Sequence, residues 1–178
     1  MIGAEQVKLI AFDVDGTLTD GTLVMGPAGE AYKLFNAHDG LAISLVHRMG
    51  YAVGFITGRT SPIVEARAKE LACDFVLMGI KHKVSAMHSL LKERGLSWDE
   101  AAYMGDDLND LPLFSFVGLS GCPADGCEEN QSAADFVSAY NGGRGAARDF
   151  IECILKSQGR WEEAVYSFQE IDQEDLVQ

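Results

Sequence analysis

Three observations predict a parallel α/β sheet with helices on both faces. Short apolar runs rich in β-branched residues recur along the chain, and segments with helical spacing and caps lie between them. The 178 residues, 47% apolar and 23% charged, also suit a single core. Strands that alternate with helices of about a dozen residues imply right-handed crossovers and hence a Rossmann-like sheet.

Each element has its own justification. Residues 7–14 (VKLIAFDV) are too short for a typical helix and are closed by Asp-Gly, so they read as a buried strand. Comparable runs stand at 52–57, 75–78, 102–105 and 117–120. One helix is read over 41–49. Another opens with Ser61 as N-cap and Pro62 at the first helical position. Residues 83–94 place Val84, Met87, Leu90 and Leu91 on one face, with Gly95 as the stop. Ser97-x-x-Glu100 fits a capping box ahead of a short helix. Residues 21–36 break the rhythm: two extended stretches about the turn Gly26-Pro27-Ala28-Gly29 predict a protruding β-hairpin.

No linker or repeat marks a second domain, so residues 1–160 read as one unit. Residues 161–178 hold six acids and no Lys or Arg, and read as an acidic C-terminal tail, solvated, with a fraying end. The net charge of −13 argues against nucleic acid as a partner. No apolar stretch approaches the roughly 20 residues a bilayer requires, so no membrane partner is expected. The opening residues lack the basic and apolar regions of a signal peptide, and the four cysteines, without CxxC spacing, read as reduced thiols. A soluble cytoplasmic protein is the expectation.

The chemistry gathers at strand ends. Asp13-Val14-Asp15-Gly16-Thr17 follows the first strand, and alternation along an extended chain would point Asp13 and Asp15 the same way. A second acidic group, Gly105-Asp106-Asp107-Leu108-Asn109-Asp110, follows a later strand. Asp106, Asp107 and Asp110 also suit caps of the short helix that carries Leu111, Asp107 most of all. Carboxylates at this density repel one another unless a cation compensates, and an oxygen-only ligand set suits Mg2+. Thr57-Gly58-Arg59 ends another strand, where the hydroxyl and adjacent amides can hold phosphate oxygens, and Lys83 opens a helix and brings a compact positive charge. Together these groups point to phosphoryl transfer with an Asp as nucleophile.

The order DxDGT, TGR, Lys, GDDxxD resembles the haloacid dehalogenase superfamily. That resemblance implies Asp13 as nucleophile, Asp15 as general acid/base, Thr57 and Lys83 as phosphate binders, and a Mg2+ held by Asp13, Asp106 and the main-chain carbonyl of Asp15. Asp110 would brace the lysine. The hairpin, the stretch Lys33 to Gly40, Arg59 with Arg67 one helix on, Gly79-Ile80-Lys81 and Gly142 to Arg148 narrow the likeness further. Over residues 7–165 the chain is similar to the capless group of 3-deoxy-D-manno-octulosonate 8-phosphate phosphatases.

This likeness implies a phosphorylated sugar acid as substrate, a place in lipopolysaccharide biosynthesis, no cap domain, and a homotetramer whose hairpins assemble centrally. A neighbouring subunit would help close each active site. Thr17, His38, Ala42 and Asp125-Gly126 depart from the group's pattern, and His38 bears on the identity of the substrate. Arg59 favours the octulosonate ester over the 9-phosphate of a nine-carbon sialic-acid-type keto acid. Arg59 and Arg67 fit either a substrate carboxylate or a surface pair with a nearby Glu, while Arg144 and Arg148 would serve substrate from a neighbouring subunit. The glycines from Gly142 to Gly145 read as a flexible turn or as a gating loop. A more distant alternative is a non-catalytic oligomerisation module.

Overall fold

The computed structural model describes residues 3–175. In chain order the elements are β1 (Leu9–Phe12), the hairpin β2 (Val24–Gly26) and β3 (Gly29–Tyr32), α1 (Ala37–Arg48), β4 (Ala52–Ile56), α2 (Pro62–Glu70), β5 (Phe75–Leu77), α3 (Lys83–Arg94), β6 (Ala101–Met104), α4 (Leu111–Phe114), β7 (Leu119–Cys122), α5 (Glu128–Ala133), β8 (Phe136–Val137), α6 (Ala146–Ser157) and α7 (Trp161–Asp175). Six strands form one parallel sheet in the order β5-β4-β1-β6-β7-β8, and the hairpin stands apart as a two-stranded antiparallel sheet.

The pleat divides the core in two. Ile10 and Phe12 of β1 face one side with α1, α2 and α6, while Leu9 and Ala11 face the other with α3 and α4. Burial on both faces explains why the strands read as continuous apolar runs rather than alternating ones. The caps act as the sequence predicts at Ser61, which accepts from the Val64 amide, and at Ser97, where both halves of the box with Glu100 form ahead of a 3-10 turn.

Several elements differ from the sequence reading. α1 starts four residues earlier than predicted because Asn36 caps it, accepting from the amides of His38 and Asp39. β7 lies two residues further on than the 117–120 run. α5, β8 and α6 were not anticipated, although Phe150, Ile151, Ile154 and Leu155 of α6 are wholly buried at helical spacing.

The acidic stretch from residue 161 opens as α7. Ala164 is buried, Trp161 and Phe168 pack on the core, and the Arg48 guanidinium lies 4.8 Å from the Phe168 ring centroid. With Trp161, Ala164 and Phe168 turned inward and Glu162 and Glu163 exposed, the opening turns of this segment dock on the core rather than trail in solvent. Its last three residues, where fraying is expected, lie outside the described residues. No helix among the described residues is long and apolar enough to cross a membrane.

Candidate active site

All the predicted chemical motifs of the first 110 residues meet at the carboxyl ends of β1, β4 and β6, the usual ligand crevice of an open α/β sheet. Asp13 follows β1, and its amide still donates to the Met104 carbonyl of β6 at 2.9 Å, so the sheet itself fixes its position. Beyond Asp13 the chain coils: the amides of Leu18 and Thr19 turn back to the Val14 carbonyl. Asp15 thus stands in a turn rather than in extended chain, and the two carboxylates have different partners.

The carboxylate of Asp13 is buried beside Lys83, whose Nζ stands 2.9 Å from Oδ1. Apart from this ion pair, Oδ1 is buried without a hydrogen-bond partner. Lys83 is itself buried at the start of α3. It donates to Asp110 Oδ1 at 2.5 Å and to the Tyr103 hydroxyl at 3.0 Å, and Tyr103 donates to the same Asp110 oxygen at 2.6 Å. The other oxygen of Asp110 accepts from the amides of Asp106 and Asp107, at 3.0 and 3.3 Å. Asp110 thus has both oxygens in use, holding the lysine on one side and the Asp106 loop on the other.

Asp106 receives a hydrogen bond from the Thr17 hydroxyl at 3.0 Å. Burial, reinforced by the charges of Asp13 and Asp110, pushes its carboxyl up to about 7. Burial and the Asp110 charge likewise push Asp13 up to about 6, against the opposing pull of Lys83. Lys83 stays charged: burial would lower it, but Asp13 and Asp110 together hold it above its ordinary value.

One carboxylate oxygen each of Asp13, Asp106 and Asp110 lies within 4.8 Å of the other two. An all-oxygen set that repels itself and leaves a buried oxygen without a hydrogen bond fits a hard divalent cation such as magnesium. Because Asp110 is fully engaged, Asp13 and Asp106 are the carboxylates with lone pairs to offer.

Asp15 is held by cations. Its Oδ1 is bonded by Lys33, and its Oδ2 stands 3.8 Å from Arg59 Nε. Lys33 comes from the end of the hairpin and also pairs with Glu30 at 2.7 Å, while Glu30 accepts from the Ser61 hydroxyl. Burial would raise the Glu30 carboxyl, yet its bonds from Lys33 and Ser61 outweigh it and hold the group below its usual range. Thr57 is buried at the end of β4, and its hydroxyl accepts from the Arg59 amide at 3.4 Å. Gly58 lies between them on the rim.

The outer arginines are placed differently. Arg67 pairs with Glu70 at 2.9 Å and lines a cavity of about 680 Å³ between α1 and α2. Arg148 pairs with Glu152 at 2.6 Å and lies 5.1 Å from the Trp161 ring centroid. Arg144 is exposed, 3.7 Å from Asp20, beside a cleft of about 360 Å³ that it shares with His38 and Arg148. The described chain does not bring these three to the Asp13 carboxylate. The glycine segment is tied to the turn after β1: Gly143 donates to the Thr17 carbonyl at 2.9 Å, and Gly142 packs against the Gly16 carbonyl.

Sequence reasoning did not assign site roles to Lys33, Glu30 or Tyr103. Tyr103 carried no signal beyond its place in an apolar strand. Asp39 was missed as well: from α1 it accepts the amides of Gly145 and Arg148, capping α6.

Comparisons with known proteins follow the same lines. Residues 77–149 match the model of the haloacid dehalogenase-like hydrolases. The chain is 38% identical to 3-deoxy-D-manno-octulosonate 8-phosphate phosphatase KdsC of Escherichia coli, over 92% of this chain and 87% of that one. It is similar in structure to the Moraxella catarrhalis 3-deoxy-D-manno-octulosonate 8-phosphate phosphatase, solved in complex with magnesium ion, phosphate ion and KDO. The TM-score is 0.90 at 36% identity, with 93% of this chain and 95% of that one covered. The cobalt-bound enzyme of Haemophilus influenzae superposes with a TM-score of 0.85 at 38% identity, over 88% and 92% of the two chains. Since this likeness runs through nearly the whole fold, and not only through the four short motifs, the chain belongs to the haloacid dehalogenase-like hydrolases and, among them, to the 3-deoxy-D-manno-octulosonate 8-phosphate phosphatase family.

Proposed function

We propose that the chain is a magnesium-dependent phosphatase that hydrolyses the 8-phosphate ester of 3-deoxy-D-manno-octulosonate through an aspartyl-phosphate. The observation that carries the reading is the buried Asp13 oxygen, free of hydrogen bonds and set beside a charged Lys83. A buried carboxylate oxygen that holds an ion pair but no hydrogen bond keeps lone pairs free for a metal or for phosphorus.

Asp13 attacks phosphorus while the ester P–O bond breaks, and Asp15 gives its proton to the departing alkoxide. Ionised Asp15 then takes a proton from water, whose oxygen attacks phosphorus and releases Asp13 and inorganic phosphate. Thr57, Gly58 and Lys83 bind the phosphoryl oxygens. Magnesium, held by Asp13, Asp106 and the main-chain carbonyl of Asp15, supplies charge neutralisation for the transferring group. Arg59, on the rim beside Asp15, is the nearest cation for the sugar carboxylate. Arg67, Arg144 and Arg148 serve it only across a subunit boundary.

We further infer a cytoplasmic homotetramer built through the hairpins, which expose Leu23, Met25, Tyr32 and Leu34. Light scattering that returns the mass of one chain would remove this part.

Phosphate release from the octulosonate 8-phosphate, a nine-carbon keto acid 9-phosphate and neutral sugar phosphates tests the substrate. The eight-carbon ester should be turned over fastest, and preference for a neutral ester overturns the assignment. Asp13→Asn should abolish turnover and leave assembly unchanged, which separates an enzyme from an oligomerisation module.

A further inference from the structure

We propose that Lys33 is a positioning residue for Asp15, so that the hairpin is part of the catalytic machinery and not only an assembly surface. The inference rests on the functional reading above. Lys33 follows directly on β3, and its side chain is 2% exposed, whereas its neighbours Tyr32 and Leu34 are 53% and 63% exposed. The pleat that turns two apolar side chains to solvent turns the lysine inward, toward Asp15.

Among the described residues, the carboxylate of Asp15 has two cationic partners, one for each oxygen. Lys33 bonds Oδ1, and Arg59 Nε stands 3.8 Å from Oδ2, beyond hydrogen-bond reach and on a side chain that is nearly half exposed. The buried lysine is therefore the group that fixes the rotation of the carboxylate. Glu30 holds Lys33 in turn at 2.7 Å and accepts from Ser61, whose hydroxyl also caps α2 by accepting from the Val64 amide at 3.3 Å. A chain of bonds thus runs from the Thr57-Gly58-Arg59 loop through Ser61, Glu30 and Lys33 to the proton-transfer group. A general acid out of line with the leaving oxygen loses its effect while the nucleophile keeps its own.

The test is leaving-group dependence in single-turnover experiments with magnesium-loaded enzyme. An alkoxide leaving group requires a proton from Asp15; p-nitrophenolate does not. Lys33→Met should slow the first chemical step on the sugar phosphate about 30-fold and on p-nitrophenyl phosphate less than about 3-fold, with KM changed less than about 3-fold. Lys33→Arg should recover part of the loss. Equal slowing on both esters, or none on either, overturns the proposal. Should Lys33→Met fail to fold, Glu30→Gln must show the same selectivity in smaller measure, and its absence there is equally fatal. Wild-type enzyme inactive on every ester would instead bring down the functional reading, a result visible before any variant is made.

Discussion

Gly16 lies so close to Asp106 that a Cβ at position 16 would stand 2.0 Å from a carboxylate oxygen, on a backbone whose φ of +95° already disfavours any side chain. The turn after β1 and the loop after β6 are thereby locked together, with the Thr17 hydroxyl adding a hydrogen bond to Asp106. Gly16→Ala should move the Asp106 carboxylate, reduce magnesium affinity in a calorimetric titration and lower kcat/KM by about 100-fold. Activity within about threefold of wild type would mean that the loop absorbs the methyl group and that this contact does not set the geometry.

Asp110 accepts from four donors: Lys83, Tyr103 and the amides of Asp106 and Asp107. Asp110→Asn keeps the shape but gives up one acceptor, because its NH2 group must face either the lysine and tyrosine or the two amides. The outcome expected is a loss of about 3 kcal/mol in a denaturant titration, together with loss of phosphatase activity, since the buried Lys83 then keeps only the Asp13 carboxylate as a counter-charge. A neutral substitution would show that Asp13 alone suffices to hold the lysine.

How far these relationships could be read beforehand depends on the kind of signal each residue leaves. Asp13, Thr57 and Asp106 stand at the ends of apolar runs, where a polar group has few reasons to be other than a ligand or a catalyst, and Lys83 opens the helix that follows another such run. The parallel sheet followed from the same runs, because strands buried on both faces are apolar throughout. Lys33 misleads by the same logic: between Tyr32 and Leu34 it looks like the solvated member of an alternating strand. In the structure the alternation is inverted, with the apolar side chains outward. Asp39 is similar, an acid in the first turn of α1 that in fact caps α6, a contact across more than a hundred residues that no local pattern encodes. Arg67 and Arg148 leave a double signal: a cation there suits a ligand or a surface pair, and within the chain Glu70 and Glu152, three and four residues along their helices, engage them.

Without metal, the folded chain should become more stable as pH falls from 8 to 5. Asp106 and Asp13 titrate near 7 and 6 in the fold but near 3.8 when unfolded, so the native state takes up the extra protons within this window. The ceiling is about 1.4 kcal/mol per pH unit for each group. Carboxylates held low, such as Glu100 and Glu30, act in the opposite sense but only below about pH 5, outside the window. Magnesium competes with those protons and should raise the thermal midpoint more at pH 8 than at pH 5.5. Thermal scans with chelator and with magnesium decide the matter, and midpoints independent of both would contradict the crowding of carboxylates at this site.

Gly142 is the remaining position where backbone meets backbone. A Cβ there would lie 1.7 Å from the Gly16 carbonyl oxygen and 2.9 Å from that of Thr19, with no flexible side chain able to yield. Gly142→Ala must therefore push the 142–145 segment away from the turn that carries Asp15 and Gly16. A loss of about 2–4 kcal/mol is expected, with activity falling further than the unfolded fraction alone explains. Gly26→Ala is the control, since the hairpin turn leaves a new methyl group at ordinary contact distance, 3.5 Å from Ala31. If a flexible lid were the correct description of residues 142–145, Gly142→Ala would slow opening without destabilising the fold. Hydrogen exchange at the Gly143 amide, bonded to the Thr17 carbonyl, separates the two descriptions: slow exchange in wild type and fast exchange in the variant mark a fixed brace, and fast exchange in both marks a lid.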